Sequence, residues 1–247
     1  MKTKNVVFGR HPVLEALKSG KGFDKLMVLK TAKSPEISEI TGIARAQGVS
    51  LQYVPIQKLN AITGKNHQGV IGLLSLVDYY KWDDVLMKAY DEGRSPIFLL
   101  LDHITDVGNF GAIARTALGA GVDAIIIPTK GGATISGDAI KSSAGALANI
   151  QVCRVEKLEQ VVDDMKVNGI TILAADMKAT ALVSEQNFTG PCCIILGSEE
   201  SGVSGKLLKK CDAHFKLPMT EILESYNVSV SVGMILYETM RQRLQKD

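Results

Sequence analysis

No stretch of the chain approaches the roughly 20 consecutive apolar residues that a membrane-spanning helix requires, which argues against an integral membrane protein. The basic N-terminus, residues 1–5, leads directly into a short strand-like run at residues 6–8. It lacks the longer apolar core and the small-residue cleavage site of a secretory signal. We therefore expect a cytoplasmic protein. Hydrophobic residues make up 46% of the chain, which is enough to fill a core, so intrinsic disorder is not expected.

Cysteine is scarce, and its spacing does not indicate a metal site. The four cysteines show neither Cys-x-x-Cys spacing nor accompanying histidines: Cys153, Cys192, Cys193 and Cys211. Cys192 and Cys193 fall in an apolar strand candidate, where buried reduced thiols are the usual finding. We therefore predict that the protein uses no metal.

The net charge of +2 hides an asymmetry between the two parts of the chain. Residues 1–77 hold 11 Lys and Arg against 4 Asp and Glu, a balance of +7, and the remainder has a balance of −5. This division favours an N-terminal part that binds a polyanion such as nucleic acid. An ordinary solvated surface rich in lysine is the alternative.

Two regions of alternating strand and helix patterns predict two α/β units. In the first, strand patterns cover residues 6–8, 25–29, 51–54 and 70–76, with helices at 12–18 and from Ser34 to Gly48. These elements predict a small three-layer unit. Residues 78–95 are polar and rich in turn formers around one helical patch at 85–90, which predicts an interdomain linker.

The second region predicts a parallel sheet, because strand candidates such as residues 97–101 are apolar throughout. The others are residues 124–127, 151–155, 170–174, 192–196 and 213–217, with helices near 109–120, 157–168, 204–210 and 227–243. One side of the last helix is apolar: Val228, Val232, Ile235, Leu236 and Met240. This stripe fits a subunit interface and core packing equally well.

Three polar segments follow predicted strands, the usual place for sites in α/β proteins. They are residues 106–115 (DVGNFGAIAR), 196–202 (LGSEESG), and 217–219 (LPM) with 225–230 (SYNVSV). In the first, Asn109 is placed to cap a helix, and Arg115 follows six residues later, so both could face an anion at the helix start. The third begins a helix with β-branched and hydroxyl residues, a poor choice for helix propensity that hints at function.

These segments, together with residues 9–17 (GRHPVLEAL) and 66–70 (NHQGV), resemble the signature regions of the SpoU/TrmH family of RNA ribose 2′-O-methyltransferases, of the SPOUT class. The resemblance covers nearly the whole chain and is greatest to the group that modifies guanosines of 23S rRNA. It implies an L30e-like RNA substrate-binding domain at 1–77, a linker at 78–95, and a parallel-sheet methyltransferase domain with a trefoil knot at 96–247. It also implies S-adenosylmethionine as cofactor and a homodimer.

The resemblance further implies roles for individual residues. Catalytic roles fall on Asn109, Arg115, Glu199, Ser225 and Asn227. Cofactor contacts fall on Leu196, Gly197, Leu217, Met219 and Tyr226. RNA contacts fall on Arg10, His11, Asn66, His67 and Lys141. Three positions depart from the family pattern: Val107 stands where Pro is usual, and Glu200 and Glu221 stand where Gly is common.

Two other classes of function each fit part of the sequence. A nicotinamide-dependent dehydrogenase suits the α/β pattern, but residues 108–111 do not form the Gly-x-Gly-x-x-Gly fingerprint. A non-catalytic RNA-binding module suits the basic N-terminal part but leaves the three C-terminal segments without a purpose. His103 beside Asp102 does not indicate a catalytic triad, because no activated serine context accompanies it. Within the methyltransferase reading, tRNA is the alternative substrate to rRNA.

Overall fold

A computed structural model describes residues 5–133, 135–220, 222 and 225–245. The chain divides into two compact units at the boundary between Asp78 and Tyr79. No helix among the described residues is both long and apolar enough to cross a membrane.

The first unit is a four-stranded sheet with the strand order β1-β4-β2-β3. Its elements are β1 (Val6–Phe8), α1 (Arg10–Lys18), β2 (Phe23–Leu29), α2 (Pro35–Ala46), β3 (Ser50–Val54), α3 (Ile56–Asn60) and β4 (Val70–Leu74). Strand β4 runs antiparallel to both β1 and β2, whereas β2 and β3 are parallel. As the sequence predicted, Ser34 caps α2 by accepting a hydrogen bond from the Ile37 N–H at 3.3 Å, with Pro35 in the first turn.

Two apolar clusters cover the two faces of this sheet. Helices α1 and α2 supply residues such as Val13, Leu17 and Ile40 to one cluster. Leu59 of α3 lies in the other, packed with strand residues such as Ile71. The predicted three-layer arrangement is therefore present, and it includes a short helix that the sequence analysis did not identify.

The second unit is built on a seven-stranded sheet with the order β11-β9-β10-β6-β7-β8-β5. Its strands are β5 (Tyr79–Tyr80), β6 (Ile97–Leu101), β7 (Ala124–Pro128), β8 (Gln151–Val155), β9 (Thr171–Ala175), β10 (Cys192–Leu196) and β11 (Ala213–Phe215). Its helices are α4 (Trp82–Asp91), α5 (Val107–Gly119), α6 (Gly137–Ser142), α7 (Leu158–Val167), α8 (Gly205–Leu208) and α9 (Val228–Leu244). Every strand pair in this sheet is parallel, as predicted.

The strand order places a topological switch between β6 and β10. The chain runs outward from β6 through β7 to β8, then crosses to β9 on the other side, and β10 lies between β9 and β6. Strands β6 and β10 are buried along their whole length, as strands covered on both faces must be. Ligands of open parallel sheets bind outside the carboxyl ends of the strands at such a point.

Residues 78–95, predicted to be a linker, instead form part of the second unit from Tyr79 onward. Strand β5 pairs with β8, and α4 buries Val85 and Leu86 in the same apolar cluster as Phe98. Trp82 packs against that cluster. The polar residues that suggested a linker lie on the outer face and at the ends of α4, so composition was a poor guide to the boundary here.

Helix α9 packs against α5. Four of the five residues in the predicted apolar stripe are buried, namely Val228, Val232, Ile235 and Leu236, whereas Met240 is 38% exposed. The stripe therefore serves core packing within the chain. The end of α9 is anchored by Arg243, which donates hydrogen bonds to the carbonyl oxygens of Phe188 and Gly190.

Candidate active site

A cavity of ≈ 870 Å³ opens at the carboxyl ends of β9, β10 and β11 and beside the start of α9. All five residues predicted to contact a cofactor line it: Leu196, Gly197, Leu217, Met219 and Tyr226. Glu199 and Ser225, two of the predicted catalytic residues, also line it. Segments far apart in the sequence thus form one concave site of the size that small-molecule ligands occupy.

The cavity wall offers main-chain hydrogen-bonding groups. The backbone N–H and C=O groups of Gly197, Leu217, Met219 and Tyr226 form no hydrogen bond with any described residue. Buried backbone groups are nearly always paired, so uncommitted ones on a concave wall are suited to a ligand. The Tyr226 hydroxyl donates to the Pro218 carbonyl oxygen at 3.2 Å, which links the two segments of this wall. These groups and the volume fit a nucleoside with an attached amino-acid chain.

Gly197 is required where β10 turns into the cavity loop. A Cβ built at this position would lie 1.9 Å from the backbone carbon of Gly202 and 2.2 Å from the Val203 nitrogen. The loop folds back here because the Gly202 N–H donates to the Ser198 carbonyl oxygen at 2.8 Å. Only glycine allows the two backbone segments to approach so closely.

Glu199 joins the three predicted motifs through one carboxylate oxygen. Its Oε1 accepts hydrogen bonds from Asn109 Nδ2 at 3.1 Å, Asn227 Nδ2 at 2.7 Å and the Val228 N–H at 3.2 Å. Asn227 Nδ2 also donates to Asn109 Oδ1 at 2.9 Å. The structure therefore brings three of the predicted catalytic residues into one network at the rim of the cavity.

The predicted capping role of Asn109 is wrong. Asp106 is the N-cap of α5, and its Oδ1 accepts a hydrogen bond from the Asn109 N–H at 2.6 Å. Asn109 is the third residue of the helix, which leaves its side chain free to reach Glu199. Asx residues compete for caps, and the sequence contains two candidates three positions apart. Asn227 does cap its helix, α9, by accepting from the Ser229 N–H at 2.9 Å.

Arg115 lies apart from this network. It is exposed on α5 and forms no hydrogen bond or ion pair with any described residue. Six residues of α-helix rotate a side chain by about 240° around the axis, so Arg115 and Asn109 point to different sides of α5. Ser225 is exposed just before α9, and its side chain also has no hydrogen-bond partner among the described residues.

The predicted RNA-contacting residues of the first unit lie at the start of α1 and on the adjoining loop before β4. Arg10 donates from its backbone N–H to Gln68 Oε1 at 3.0 Å and from Nε to the Gln68 carbonyl oxygen at 3.2 Å. Arg10 and His11 line a second cavity of ≈ 510 Å³ together with Gln68 and Glu36. Asn66 accepts a hydrogen bond from the Gln68 N–H at 3.3 Å, and the His11 ring is exposed.

His67 is the exception, because the structure gives it an internal role. Its ring is buried, Nδ1 accepts from the Gly69 N–H at 3.0 Å, and Nε2 lies 2.9 Å from Asn60 Oδ1. Since Nδ1 is an acceptor, Nε2 carries the proton and donates to Asn60. Both ring nitrogens are occupied, so the prediction that His67 contacts RNA is corrected to loop stabilisation. Lys141, the remaining predicted contact, is exposed on α6 of the second unit.

Two of the three positions that depart from the family pattern, Val107 and Glu200, are described by the structure. Val107 is the first residue of α5, where a proline is readily accommodated. Glu200 is exposed and lines the large cavity. Glu221 lies outside the described residues.

Burial protects the cysteines. It raises the pKa of Cys153 and of Cys211 to about 12 and that of Cys192 to about 11, and it raises the pKa of Cys193 well above the ordinary value. Thiols with raised pKa values are poor nucleophiles and poor metal ligands. No group of three or more His, Cys, Asp or Glu residues in the described parts of the chain is placed to hold a metal ion.

One buried acid at the edge of the site was not predicted from the sequence. Asp102, at the end of β6, has a side chain only 2% exposed and accepts hydrogen bonds from the Ser204 N–H at 2.8 Å and from His103 Nδ1 at 2.6 Å. The apolar run before it was the available signal, because a strand buried on both faces often buries the first polar residue at its end as well.

Comparison with known proteins assigns the chain to a family. Residues 96–237 match the SpoU rRNA Methylase family, and residues 6–80 match a family described as RNA 2′-O ribose methyltransferase substrate binding. The chain belongs to the SpoU family of RNA methyltransferases. The predicted family is thereby confirmed, and so is the predicted α/β fold with an N-terminal substrate-binding domain and a parallel-sheet methyltransferase domain.

Relatives of this SpoU protein match over nearly their full length. YacO of Bacillus subtilis strain 168, whose name places it among the TrmH family tRNA/rRNA methyltransferases, is 33% identical over 237 residues, covering 96% of this chain and 95% of YacO. A protein of the same family name from Staphylococcus epidermidis is 34% identical over 240 residues, covering 97% and 96%.

Solved structures share the fold. The SpoU methyltransferase AviRb from Streptomyces viridochromogenes, crystallised with the cofactor AdoMet, aligns with a TM-score of 0.62 at 23% identity, covering 97% of this chain and 90% of AviRb. The AdoMet-bound rRNA methyltransferase from Sinorhizobium meliloti aligns with a TM-score of 0.60 at 22% identity, covering 96% and 87%. At this level of identity, both comparisons concern the fold.

Proposed function

We propose that this SpoU protein transfers a methyl group from S-adenosylmethionine to a ribose 2′-hydroxyl of RNA, with a guanosine of 23S rRNA as the target. One observation carries the proposal, namely that the predicted cofactor cavity and the Glu199 hydrogen-bond network are adjacent. A cavity lined by all five predicted cofactor residues adjoins the network in which Glu199 holds Asn109 and Asn227. We expect the enzyme to act in the cytoplasm.

The large cavity supplies the cofactor site in this proposal. The uncommitted main-chain groups of Gly197, Leu217 and Tyr226 are suited to the adenine and ribose edges, and Leu196 and Met219 supply apolar contacts. Bound S-adenosylmethionine supplies an electrophilic methyl carbon for in-line displacement. The protein must therefore orient the attacking hydroxyl and accommodate its proton.

Arg115 is the residue we assign to the attacking nucleotide. A guanidinium stays protonated in ordinary sites, which makes it a poor base but a strong partner for phosphate and for a developing alkoxide. Its freedom from ion pairs with the described residues leaves the whole guanidinium available. Asn109, Glu199 and Ser225 then orient the ribose and the nearby phosphate.

The position of Arg115 supports a homodimer in which one subunit's Arg115 completes its partner's site. Arg115 lies on a different side of α5 from Asn109, which suits a site that a second chain completes. Helix α9 also carries an exposed apolar stripe, distinct from the buried one: Val230, Met234, Tyr237 and Leu244, with Tyr237 70% exposed. Their spacing places them on one helix face, and exposed apolar patches mark interaction sites. We include the trefoil knot of the family in the same proposal.

The first unit is assigned to RNA capture. The balance of +7 in residues 1–77 favours a polyanion, and Arg10 and His11 border a surface cavity that a nucleotide can enter. Arg10 is held by Gln68 and lies 3.5 Å from Glu36, so its guanidinium is oriented before RNA arrives. Such preorganisation lowers the entropic cost of ordering this side chain when RNA binds.

Methyl transfer to separate RNA pools tests the proposal. Labelled S-adenosylmethionine is incubated with unmodified 23S rRNA, 16S rRNA and tRNA, and the modified nucleotide is mapped. A 2′-O-methylguanosine in 23S rRNA is the expected result. Labelling of tRNA alone would keep the reaction and change the substrate. Calorimetric titration with S-adenosylmethionine and with nicotinamide dinucleotide distinguishes a methyltransferase from a dehydrogenase. A protein that binds neither cofactor would be left with the function of an RNA-binding module.

Substitution of Arg115 tests its role. Arg115→Ala should retain affinity for S-adenosylmethionine and lose turnover by about a hundredfold or more, as removal of one transition-state donor typically does. Arg115→Lys, which keeps the charge but loses the planar fork, should recover part of the rate. Turnover of Arg115→Ala equal to that of the wild type would remove Arg115 from the chemistry.

A further inference from the structure

A pair of residues that the proposed reaction has not used lies at the carboxyl end of β6. Asp102 is buried, and its two oxygens accept from the Ser204 N–H and from His103 Nδ1. A buried carboxylate is tolerated when its oxygens are hydrogen bonded in this way. The His103 side chain, by contrast, is 64% exposed. Because Nδ1 is held by the carboxylate, the ring is fixed with its other nitrogen, Nε2, available to a ligand.

The backbone of His103 is held in an unfavourable conformation. Its φ of +57° lies in the left-handed region that glycine and asparagine occupy most easily. A residue of this size in that region costs of order 1 kcal/mol or more and persists where its surroundings hold it. Here the hydrogen bond to Asp102 holds the ring, so the strained turn presents an oriented imidazole to solvent.

The location of this imidazole points to the RNA substrate. Residue 103 is four positions before α5, which carries Asn109 and Arg115, and Asp102 is joined to β10 by its N–H donating to the Leu196 carbonyl oxygen at 2.8 Å. The ring leans on the turn after β7, with Cδ2 3.4 Å from the place of a Cβ on Gly131. His103 therefore stands at the sheet edge where the site lies, beside the β7 turn.

The segments that follow β6 and β7 carry exposed cations alongside the carboxylates of Asp106 and Asp138. These cations form no ion pair with any described residue: Arg115, Lys130 and Lys141. Lys130 directly precedes Gly131, against which the His103 ring lies. An exposed lysine on this turn and an oriented imidazole are suited to a phosphodiester chain, whose oxygens accept hydrogen bonds from such donors.

We propose that His103 is a substrate-contacting residue: Asp102 holds Nδ1, and Nε2 donates a hydrogen bond to a phosphate of the RNA strand that carries the target ribose. This contact uses the doubly protonated ring, which donates from Nδ1 to Asp102 and from Nε2 to the phosphate. The proposal rests on the proposed function only in taking RNA as the substrate. It requires no particular nucleotide and no step of methyl transfer.

The test measures RNA affinity as a function of salt. His103→Asn and His103→Gly both suit the left-handed backbone and both remove the imidazole. Binding of fluorescently labelled, unmodified 23S rRNA and tRNA transcripts is followed at several salt concentrations. Lys88→Ala is the matched control, since Lys88 is exposed in the last turn of α4, near the amino ends of the strands.

Both His103 variants should weaken RNA binding by about tenfold, in line with the loss of one charge-assisted hydrogen bond. The plot of log affinity against log salt has a negative slope, and its magnitude should decrease by about 0.7, the value for one phosphate contact on a single strand. Lys88→Ala should change neither quantity, and affinity for S-adenosylmethionine should be unchanged in all three variants.

An unchanged salt slope with a lowered Tm would overturn the proposal, because His103 would then serve only as the partner of Asp102. Loss of S-adenosylmethionine affinity in both variants would overturn it as well, since the pair would then support the cofactor loop. If the wild type binds RNA but transfers no methyl group, the proposed function fails, while the salt slopes still decide the role of His103. The two ideas can therefore fail separately.

Discussion

Gly197→Ala is the perturbation whose effect follows most directly from the structure. The added methyl carbon would lie 1.9 Å from the Gly202 carbonyl carbon and 2.0 Å from its oxygen. Non-bonded carbon atoms are in favourable contact at about 3.5–4.0 Å, so one of the two segments must move by well over 1 Å. Both obstructing atoms belong to the backbone, which cannot rotate away as a flexible side chain would.

The magnitude can be worked out from what this movement breaks. Overpacking at a tight position costs about 1–3 kcal/mol. Separation of the loop also loses the hydrogen bond from the Gly202 N–H to the Ser198 carbonyl oxygen, worth about 1 kcal/mol. Together these predict a destabilisation of about 2–4 kcal/mol. At about 2–4 °C per kcal/mol for a unit of this size, the Tm should fall by about 4–16 °C.

The cofactor site should suffer more than the fold. Gly197 and Gly202 both line the cavity, so movement of this loop displaces the main-chain groups proposed to hold the adenosyl group. We expect S-adenosylmethionine affinity, measured by calorimetry at a temperature well below the variant's Tm, to fall more than tenfold. That factor corresponds to the loss of about 1.4 kcal/mol of binding free energy, which one or two main-chain hydrogen bonds supply.

Gly205→Ala is the matched control. A Cβ on Gly205 would meet no atom within 4 Å, and its φ lies outside the left-handed region, so the same substitution should leave the Tm and cofactor affinity unchanged or slightly raise the Tm. If Gly197→Ala bound S-adenosylmethionine with wild-type affinity, the reasoning that places the cofactor against this loop would be refuted. Equal effects of both substitutions would refute the steric argument.

Two further predictions concern α9. Tyr237→Glu should convert the proposed dimer to a monomer in analytical ultracentrifugation and abolish turnover, while S-adenosylmethionine binding persists. The control variant Val167→Glu, at a position 88% exposed on α7, should leave the mass unchanged. A dimeric Tyr237→Glu variant would exclude this face as the interface. Glu238 has a pKa lowered to about 2 by its hydrogen bonds from Arg241 and Gln242, so its contribution to folding is complete above the ordinary pKa of 4.5 and is lost as pH falls towards 2. The difference in unfolding free energy between wild type and Glu238→Gln should therefore shrink from pH 6 to pH 3, and a constant difference would show that the carboxylate charge contributes nothing.

The strands of the second unit were predictable because a buried parallel strand is an uninterrupted apolar run. Residues 97–101 and 192–196 were predicted with the bounds that the structure gives. Short elements were not, since five-residue α3 and two-residue β5 are too short for a periodic pattern and depend on tertiary contacts. The ten-residue α4 was taken for part of a linker for a different reason, because polar and turn-forming residues surround its short apolar patch.

The sequence motifs indicated which residues line the cavity, but not which hydrogen bonds the site residues form. Sequence motifs indicate which residues belong together, whereas the choice of hydrogen-bond partner depends on distances of a few tenths of an ångström between segments far apart in the chain. Asp106 and Asn109 are both good caps by residue type, and only the structure shows that Asp106 takes the cap. His67 is similar, because the sequence cannot tell an exposed imidazole from one that Asn60 and Gly69 occupy.

The hydrogen-bond inventory of the Glu199 network separates the roles of its members. Asn227 is fully committed: its two N–H groups go to Glu199 and Asn109, and its Oδ1 accepts from the Ser229 N–H and hydroxyl. Asn109 donates one of its two N–H groups to Glu199, so the other remains. Glu199 uses only Oε1 with the described residues, which leaves Oε2. Within this network, the groups left for the ribose of the proposed reaction are one donor of Asn109 and one acceptor of Glu199, while Asn227 fixes their positions at the mouth of the cavity.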